Sequence, residues 1–282
     1  MNAAKVREKV AFAVLGFITV LVVTPIILTI LYIAKNGLGA ITWEFILQSP
    51  HNGMKEGGIF PAIVGTILLV VGTMLFSLPL GILSAIYLVE YAKDNFFTRM
   101  IKLSVVNLSG IPSIIYGLFG FTLFVLFLKL GTSILAGSLT LAIMSLPVII
   151  TASKEALEAV PASFRKISLS LGATKWQTVR HCVLPYAVPG ILTGTVLSLS
   201  RAAGETAPIL FTVAAFYLPR LPRSVFDQVM ALPYHLYVVS TQVPNMPIEK
   251  SFATAFVLIM LVFVMNLMSI ILRTHFRKKK QW

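Results

Sequence analysis

The chain has 282 residues, of which 57% are hydrophobic and 12% are charged, and its mean hydropathy is +0.90. Soluble domains carry roughly 25% charged residues, so this composition excludes a soluble globular protein and indicates an integral membrane protein. The net charge of +13 would suggest nucleic-acid binding in a soluble protein. Here the basic residues flank apolar runs, a distribution that is typical of membrane proteins.

Six apolar runs are long enough to cross a bilayer as helices, which takes about 20 residues each. The first run follows a basic N-terminus and is longer than the core of a cleaved signal sequence, so we interpret it as a retained span. Lysines and arginines concentrate in alternate connecting segments, which predicts that both termini are cytoplasmic. The runs are residues 10–34, 59–82 with an apolar continuation to 91, 103–128, 133–153, 186–207 and 252–272.

The predicted fold is therefore an all-α integral membrane protein with six transmembrane helices. We divide the chain into an N-terminal span with an extracytoplasmic loop (1–59), a core (60–274) and a basic cytoplasmic tail (275–282). Gly190 and Gly194 lie four residues apart in the fifth run, which allows another helix of the chain to approach closely.

The long segment between the fourth and fifth runs has helical signals of its own. Pro161 can occupy the first turn of a helix, because that turn needs no backbone donor. Gly172 suits the left-handed residue after a helix, and Thr174 with Gln177 forms a capping-box pattern that starts a second helix. We name residues 161–182 the cytoplasmic helix pair. Residues at helical spacing in its first helix are Phe164, Ile167, Ser168 and Leu171.

Two functions fit a compact helix pair with apolar and basic faces. The pair can dock into a groove on another protein, or it can lie among lipid headgroups, held there by Trp176 and the basic residues. The physical pattern alone leaves both functions open.

The end of this segment resembles the cytoplasmic motif of ABC-importer permeases, which runs Glu-Ala-Ala, three residues, Gly, nine residues, then Ile-x-Leu-Pro. Gly172 and the pair Leu184-Pro185 match the motif. Cys182 replaces the isoleucine, and Lys166-Ile167-Ser168 replaces the Glu-Ala-Ala triplet. The resemblance implies a type I ABC-importer permease fold and an ATPase-coupling surface. The residues that it assigns to this surface are Phe164, Lys166, Ser168, Gly172, Ala173, Thr174, Leu184 and Pro185.

Two further stretches resemble the membrane subunits of phosphate importers: NLSGIPSIIYGLFGF (107–121) and SRAAGETAPILF (200–211). The second, with the sequence before it, is most similar to the PstA family, and the resemblance extends over about residues 60–272. It implies a bacterial inner-membrane location and several partners. These are a sister permease similar to PstC, two ATPase subunits that carry the ATP-Mg, and an extracytoplasmic phosphate-binding protein. The resemblance also implies that the chain contacts the lipid bilayer and that nucleic acid is not a partner.

Arg201 and Glu205 are two charges in an otherwise apolar run. An arginine at the bilayer centre costs about 2.5–3.5 kcal/mol, whereas a helical pair four residues apart returns only about 0.2–0.5 kcal/mol in water. Such residues usually face an aqueous pathway. The guanidinium fork matches phosphate oxygens, Glu205 can hold it in place, and Thr206 adds a hydroxyl. We therefore predict a substrate pathway at Arg201, Glu205 and Thr206; the alternative is a structural ion pair.

Several chemistries are not expected of this chain. It contains no GxxxxGK[ST] phosphate loop, so we predict no ATPase site of its own. We also predict no catalytic residue, no metal site and no bound cofactor. The predicted function is a phosphate permease subunit that forms half of a translocation pathway. One alternative is a permease for molybdate or sulfate. Another is an intramembrane enzyme, which the position of Cys182 at a membrane edge and the absence of histidine from the predicted spans disfavour.

Overall fold

The structure, a computed structural model, describes residues 3–278; the last part of the predicted basic tail, from residue 279, lies outside the described residues. Within this range almost all regular structure is helical. The α-helices of the described range are α1 (Ala3–Gly37), α2 (Trp43–Leu47), α3 (Phe60–Ile86), α4 (Phe96–Ser109), α5 (Ser113–Gly120), α6 (Ile134–Glu158), α7 (Ala162–Ser170), α8 (Lys175–Thr178), α9 (Leu184–Gly204), α10 (Ala207–Thr212), α11 (Leu232–Thr241) and α12 (Ile248–Lys278).

Shorter elements join or extend these helices. Two strands, β1 (Pro50–His51) and β2 (Glu56–Gly57), form a small antiparallel hairpin in which Pro50 pairs with Gly57. Short 3-10 helices occupy Leu38–Ala40 and Asn52–Met54. Helices α3, α5 and α8 continue as π-helical segments at Tyr87–Tyr91, Phe121–Phe127 and Val179–Val183.

The number of spans agrees with the sequence prediction if one bent pair is counted as a span. In the described range, five straight segments are long and apolar enough to cross a membrane, and α4 with α5 supplies a sixth as a pair bent by 107°. The five straight segments are Arg7–Ala40, Phe60–Tyr91, Ile134–Glu158, Lys175–Gly204 and Ile248–His275.

The third predicted span, 103–128, is not one continuous helix. Helix α4 ends at Ser109, and Pro112 has φ −56° and ψ 138° before α5 begins. Proline disfavours the helical conformation of the residue before it and donates no backbone hydrogen bond, so the chain bends here. The hydroxyl of Tyr116 donates to the Leu108 carbonyl at 2.7 Å and joins the two arms of the bend.

The fifth predicted span, 186–207, is present as α9, but its bounds differ from the prediction at both ends. At its start, α8 continues through the π-helical segment into α9, so α8 and the fifth span form one helical segment from Lys175 to Gly204. Pro185 donates no backbone hydrogen bond, which favours the local π geometry. At its end the helix stops at Gly204, and Glu205 is extended with φ −75° and ψ 131°.

The bundle packs through close helix contacts. Helix α6 lies between α3 and α9, and a Cβ on Gly194 would stand 2.3 Å from the Ala152 Cβ atom. The close approach predicted for Gly190 and Gly194 is therefore confirmed within the chain. Helix α1 packs against α12, where the rings of Tyr32 and Phe252 meet edge to face with centroids 5.6 Å apart. Most other side chains of α1 are exposed.

Candidate functional site

The charged pair sits where the fifth span breaks. Arg201 lies in the last turn of α9, Glu205 follows the helix end, and Thr206 precedes α10. Arg201 Nε donates to Glu205 Oε1 at 3.2 Å. The Arg201 side chain is 36% exposed and that of Glu205 is 17% exposed. Among the described residues, Arg201 Nη1 and Nη2 make no hydrogen bond, so two adjacent donor groups remain for another ligand.

Helices α3, α5 and α12 converge on this break. Ala203 packs against Val70 and Met74 of α3, and Ser200 Oγ donates to Asn266 Oδ1 of α12. Helix α5 crosses at Gly117, where a Cβ would stand 2.8 Å from the Ala207 carbonyl oxygen. Tyr116, the neighbour of Gly117, is close enough to Arg201 to interact with it electrostatically. The site is thus an irregular backbone position between helices, at which the Arg201 side chain stays partly exposed.

The sequence analysis did not single out Tyr116 and Asn266. Asn266 carried a usable signal, since an amide inside an apolar span usually bonds across helices. Tyr116 carried none, because its position depends on the bend after α4.

The cytoplasmic helix pair has the predicted local structure. Gly172 has φ +82°, and Thr174 and Gln177 exchange both hydrogen bonds of the capping box. Ser168 Oγ and Thr178 Oγ1 share a buried hydrogen bond of 2.9 Å that ties α7 to α8. The ring of Phe164 packs edge to face on Tyr186 of α9, with centroids 4.9 Å apart.

The predicted coupling residues divide into two groups. Phe164, Ser168, Leu184 and Pro185 are buried or half-buried. Of these, Phe164 and Leu184 pack against the buried cluster that contains Ile86 and Leu157 of the bundle. Lys166, Gly172 and Thr174 are exposed, and Ala173 is half-buried. Beside them lies an open apolar cleft of about 360 Å³. The residues that line this cleft are Phe164, Ile167, Ser168, Leu171, Ala173 and Cys182.

A partly buried ion pair anchors the helix pair, and the sequence analysis missed it. Arg165 of α7 donates from Nε and Nη2 to Glu90 Oε1 at 2.9 and 2.7 Å. Glu90 lies in the π-helical segment that follows α3, and its side chain is 8% exposed. Glu90 is one of only ten acidic residues in the chain, and this rarity is the sequence feature that could have drawn attention to it. Nothing in the neighbouring sequence indicates that Arg165 is its partner.

Residues 77–281 match a family model that is described as "Binding-protein-dependent transport system inner membrane component". The chain belongs to this family. It is 31% identical over 289 aligned positions to "Probable ABC transporter permease protein YqgI" of Bacillus subtilis (strain 168), covering 98% of each chain. It is 33% identical over 274 positions to "Phosphate transport system permease protein PstA 1" of Mycobacterium tuberculosis (strain ATCC 25618 / H37Rv), covering 95% of this chain and 88% of that relative.

A solved structure shares the fold of this permease. The chain aligns with a crystal structure of a bacterial ABC transporter involved in the import of the acidic polysaccharide alginate, at TM-score 0.61 and 16% identity. The alignment covers 93% of this chain and 96% of that one. The chain is therefore a multi-pass permease subunit of an ABC importer, which works with ATPase and substrate-binding partners and is not itself an enzyme.

Proposed function

We propose that this chain is the permease subunit of an ATP-driven importer of inorganic phosphate in a bacterial inner membrane, where it forms half of the translocation pathway. The observation that carries the proposal is the partly exposed side chain of Arg201 at a helix break, held through Nε by Glu205 at 3.2 Å. The similarity to the phosphate permease of M. tuberculosis supports the same substrate.

The geometry suits a transported anion. With Nε committed to Glu205, the two Nη groups of Arg201 can bind two phosphate oxygens side by side. The Glu205 carboxylate lowers the net positive charge, which favours release, because a pathway must bind its ion weakly enough to let it leave. Thr206, half-buried beside Glu205, adds a hydroxyl donor.

Glu205 also favours phosphate over the alternative oxyanions. At neutral pH phosphate still carries a P–OH proton that can donate to a carboxylate, whereas sulfate and molybdate carry none. An unprotonated oxygen facing Glu205 is repelled, so the pair Arg201–Glu205 fits a protonated tetrahedral anion.

The cytoplasmic helix pair is the proposed docking element for the ATPase. Its cleft is apolar and open, and Lys166, Gly172 and Thr174 lie exposed next to it. The partners in this proposal are two ATPase subunits that bind ATP-Mg, a sister permease similar to PstC and an extracytoplasmic phosphate-binding protein. ATP binding closes the ATPase pair and moves the docked helices, which switches the pathway from outward-open to inward-open.

The test is purification of the complex from native membranes, followed by reconstitution with ATP inside proteoliposomes and the binding protein outside. We expect an ATPase and a second permease to co-purify, and labelled phosphate to accumulate only with ATP. Equal uptake of sulfate or molybdate contradicts the substrate assignment. Turnover of a substrate by the purified chain alone contradicts the transport role.

A further inference from the structure

We propose that the Arg165–Glu90 ion pair is the joint that transmits movement of the cytoplasmic helix pair to α3 and, through α3, to the Arg201 site. This inference rests on the proposed function, because it assumes that an ATPase moves the helix pair. Arg165 is a positioning residue in this scheme, since it touches neither nucleotide nor phosphate.

Arg165 connects three separate elements through one planar group. From α7 it donates twice to Glu90 Oε1, beyond the end of α3. Its Nη1 donates to the Val160 carbonyl at 2.8 Å, and its Nη2 also donates to the Leu157 carbonyl of α6 at 2.9 Å. Four of the five N–H groups of a guanidinium are thus engaged. Because the fork is rigid and planar, a displacement of α7 must be followed by the ends of α3 and α6 or must break these bonds.

Electrostatics explains why the two charges occupy these positions. Glu90 lies at the C-terminal end of a helix, where the helix dipole disfavours an anion, and its side chain is almost fully buried. Without Arg165 the carboxylate would be an uncompensated buried charge. Arg165, conversely, stands at the C-terminal end of α6, where a cation is favoured and the last carbonyls need donors.

The second helix of the pair reaches the same part of α3. Lys175 Nζ of α8 lies over the ring of Tyr91, 5.0 Å from its centroid, and Tyr91 closes the π-helical segment that contains Glu90. Beneath the ion pair, Ile86 packs in a buried cluster with Leu157 and Val183. Both helices of the cytoplasmic helix pair therefore contact the π-helical end of α3.

Helix α3 extends from this contact to the proposed substrate site at Arg201. Met74 of α3 packs against Ala203, two residues after Arg201. Sixteen residues separate Met74 from Glu90, which is about 24 Å along a helix at 1.5 Å per residue. Helix α3 with its π-helical extension thus contacts the proposed docking element at one end and the neighbours of Arg201 near its middle, with Pro79 between the two contacts.

The experiment uses the reconstituted complex with Glu90→Gln, Arg165→Gln and the double variant. The matched control is Glu158→Gln, which removes an exposed ion pair between Lys154 and Glu158, both within α6. Three quantities are measured: the Tm of the complex, its ATPase rate relative to that of the ATPase subunits alone, and phosphate uptake per ATP hydrolysed. We expect each single variant to lose about tenfold in uptake per ATP, within the range of coupling between sites, while the ATPase still co-purifies and the control stays at wild-type values.

The double variant separates a joint from a purely stabilising pair. Removing both charges leaves no unpaired buried charge, so Tm should recover relative to the single variants. If the pair is a joint, uptake per ATP stays low although Tm recovers. Recovery of uptake in parallel with Tm overturns the proposal, as does normal coupling in both single variants.

The ATPase rate keeps this test independent of the substrate assignment. If wild-type complex alters the ATPase rate and the variants abolish that effect, the joint is supported even where no phosphate is taken up. In that case it is the proposed substrate that fails.

Discussion

Arg201 and Glu205 stand four residues apart on either side of the end of α9, and Arg201 Nε donates to Glu205 Oε1 at 3.2 Å. The pair is therefore not the exposed ion pair of a regular helix. It spans a backbone break, so the guanidinium is fixed by a residue that the helix itself no longer positions. Within the described part of the chain this hydrogen bond uses only Nε, so Nη1 and Nη2 of Arg201 remain for a ligand.

Arg201→Ala should abolish phosphate uptake while leaving the complex assembled. A hydrogen bond to a charged group contributes about 1.5–3 kcal/mol, so loss of the Nη donors corresponds to at least roughly a tenfold loss of uptake at subsaturating phosphate. Uptake is measured in proteoliposomes, with co-purification of the ATPase as the assembly check. Arg201→Lys keeps the charge without the fork, and we expect intermediate uptake. Wild-type uptake by the alanine variant would show that Arg201 lies outside the pathway.

Glu205→Gln should weaken the discrimination between phosphate and sulfate at the permease itself. The amide no longer repels an unprotonated oxygen, so sulfate should bind the variant more tightly than it binds wild type. The measurement is a thermal-shift titration of the complex without the binding protein, since a ligand that binds the folded state raises Tm. An unchanged ratio of phosphate to sulfate affinity would remove Glu205 from the selectivity of the site.

Gly172→Pro should uncouple the complex, because proline fixes φ near −65° and Gly172 has φ +82°. Gly172→Ala tests the backbone alone: a Cβ there meets nothing within 4 Å, so only the left-handed conformation is penalised, by about 1–2 kcal/mol. Co-purification of ATPase and uptake are the readouts. Gly39→Ala, another open glycine, is the control. Normal ATPase binding and uptake by the proline variant would refute the docking assignment.

The stability of the protein should fall on acidification through His235. His235 lies in α11, outside the five single segments and the bent pair that are long and apolar enough to cross a membrane. Its side chain is buried, and burial lowers its pKa from 6.5 to about 4. The folded state therefore keeps the ring neutral, while the unfolded state takes up a proton as pH falls below 6.5, so stability is lost between pH 6.5 and 4. At pH 5 the loss is about 2 kcal/mol.

The check on His235 is the Tm of the purified protein at pH 7.5 and at pH 5, in wild type and in His235→Gln. Wild type should lose more Tm than the variant over this interval. The same pH dependence in both proteins would show that another group carries it.

Local features of the fold were predictable from the sequence, and long-range ones were not. The capping box of Thr174 and Gln177 and the turn at Gly172 follow from residues at most three positions apart, and the structure has both. The partner of Arg165 lies 75 residues away at Glu90, and no periodicity encodes that distance. The breaks after Ser109 and Gly204 were missed because hydropathy continues through them, whereas the backbone conformation at Pro112 and Glu205 interrupts the helices.

The contact between Tyr32 and Phe252 has a consequence for biosynthesis. Tyr32 belongs to α1 and Phe252 to α12, so their rings meet only after the spans between them have been synthesised and inserted. Until then α1 lies in the lipid without this neighbour. Its apolar side chains tolerate that delay, since hydrocarbon solvates them as well as protein does.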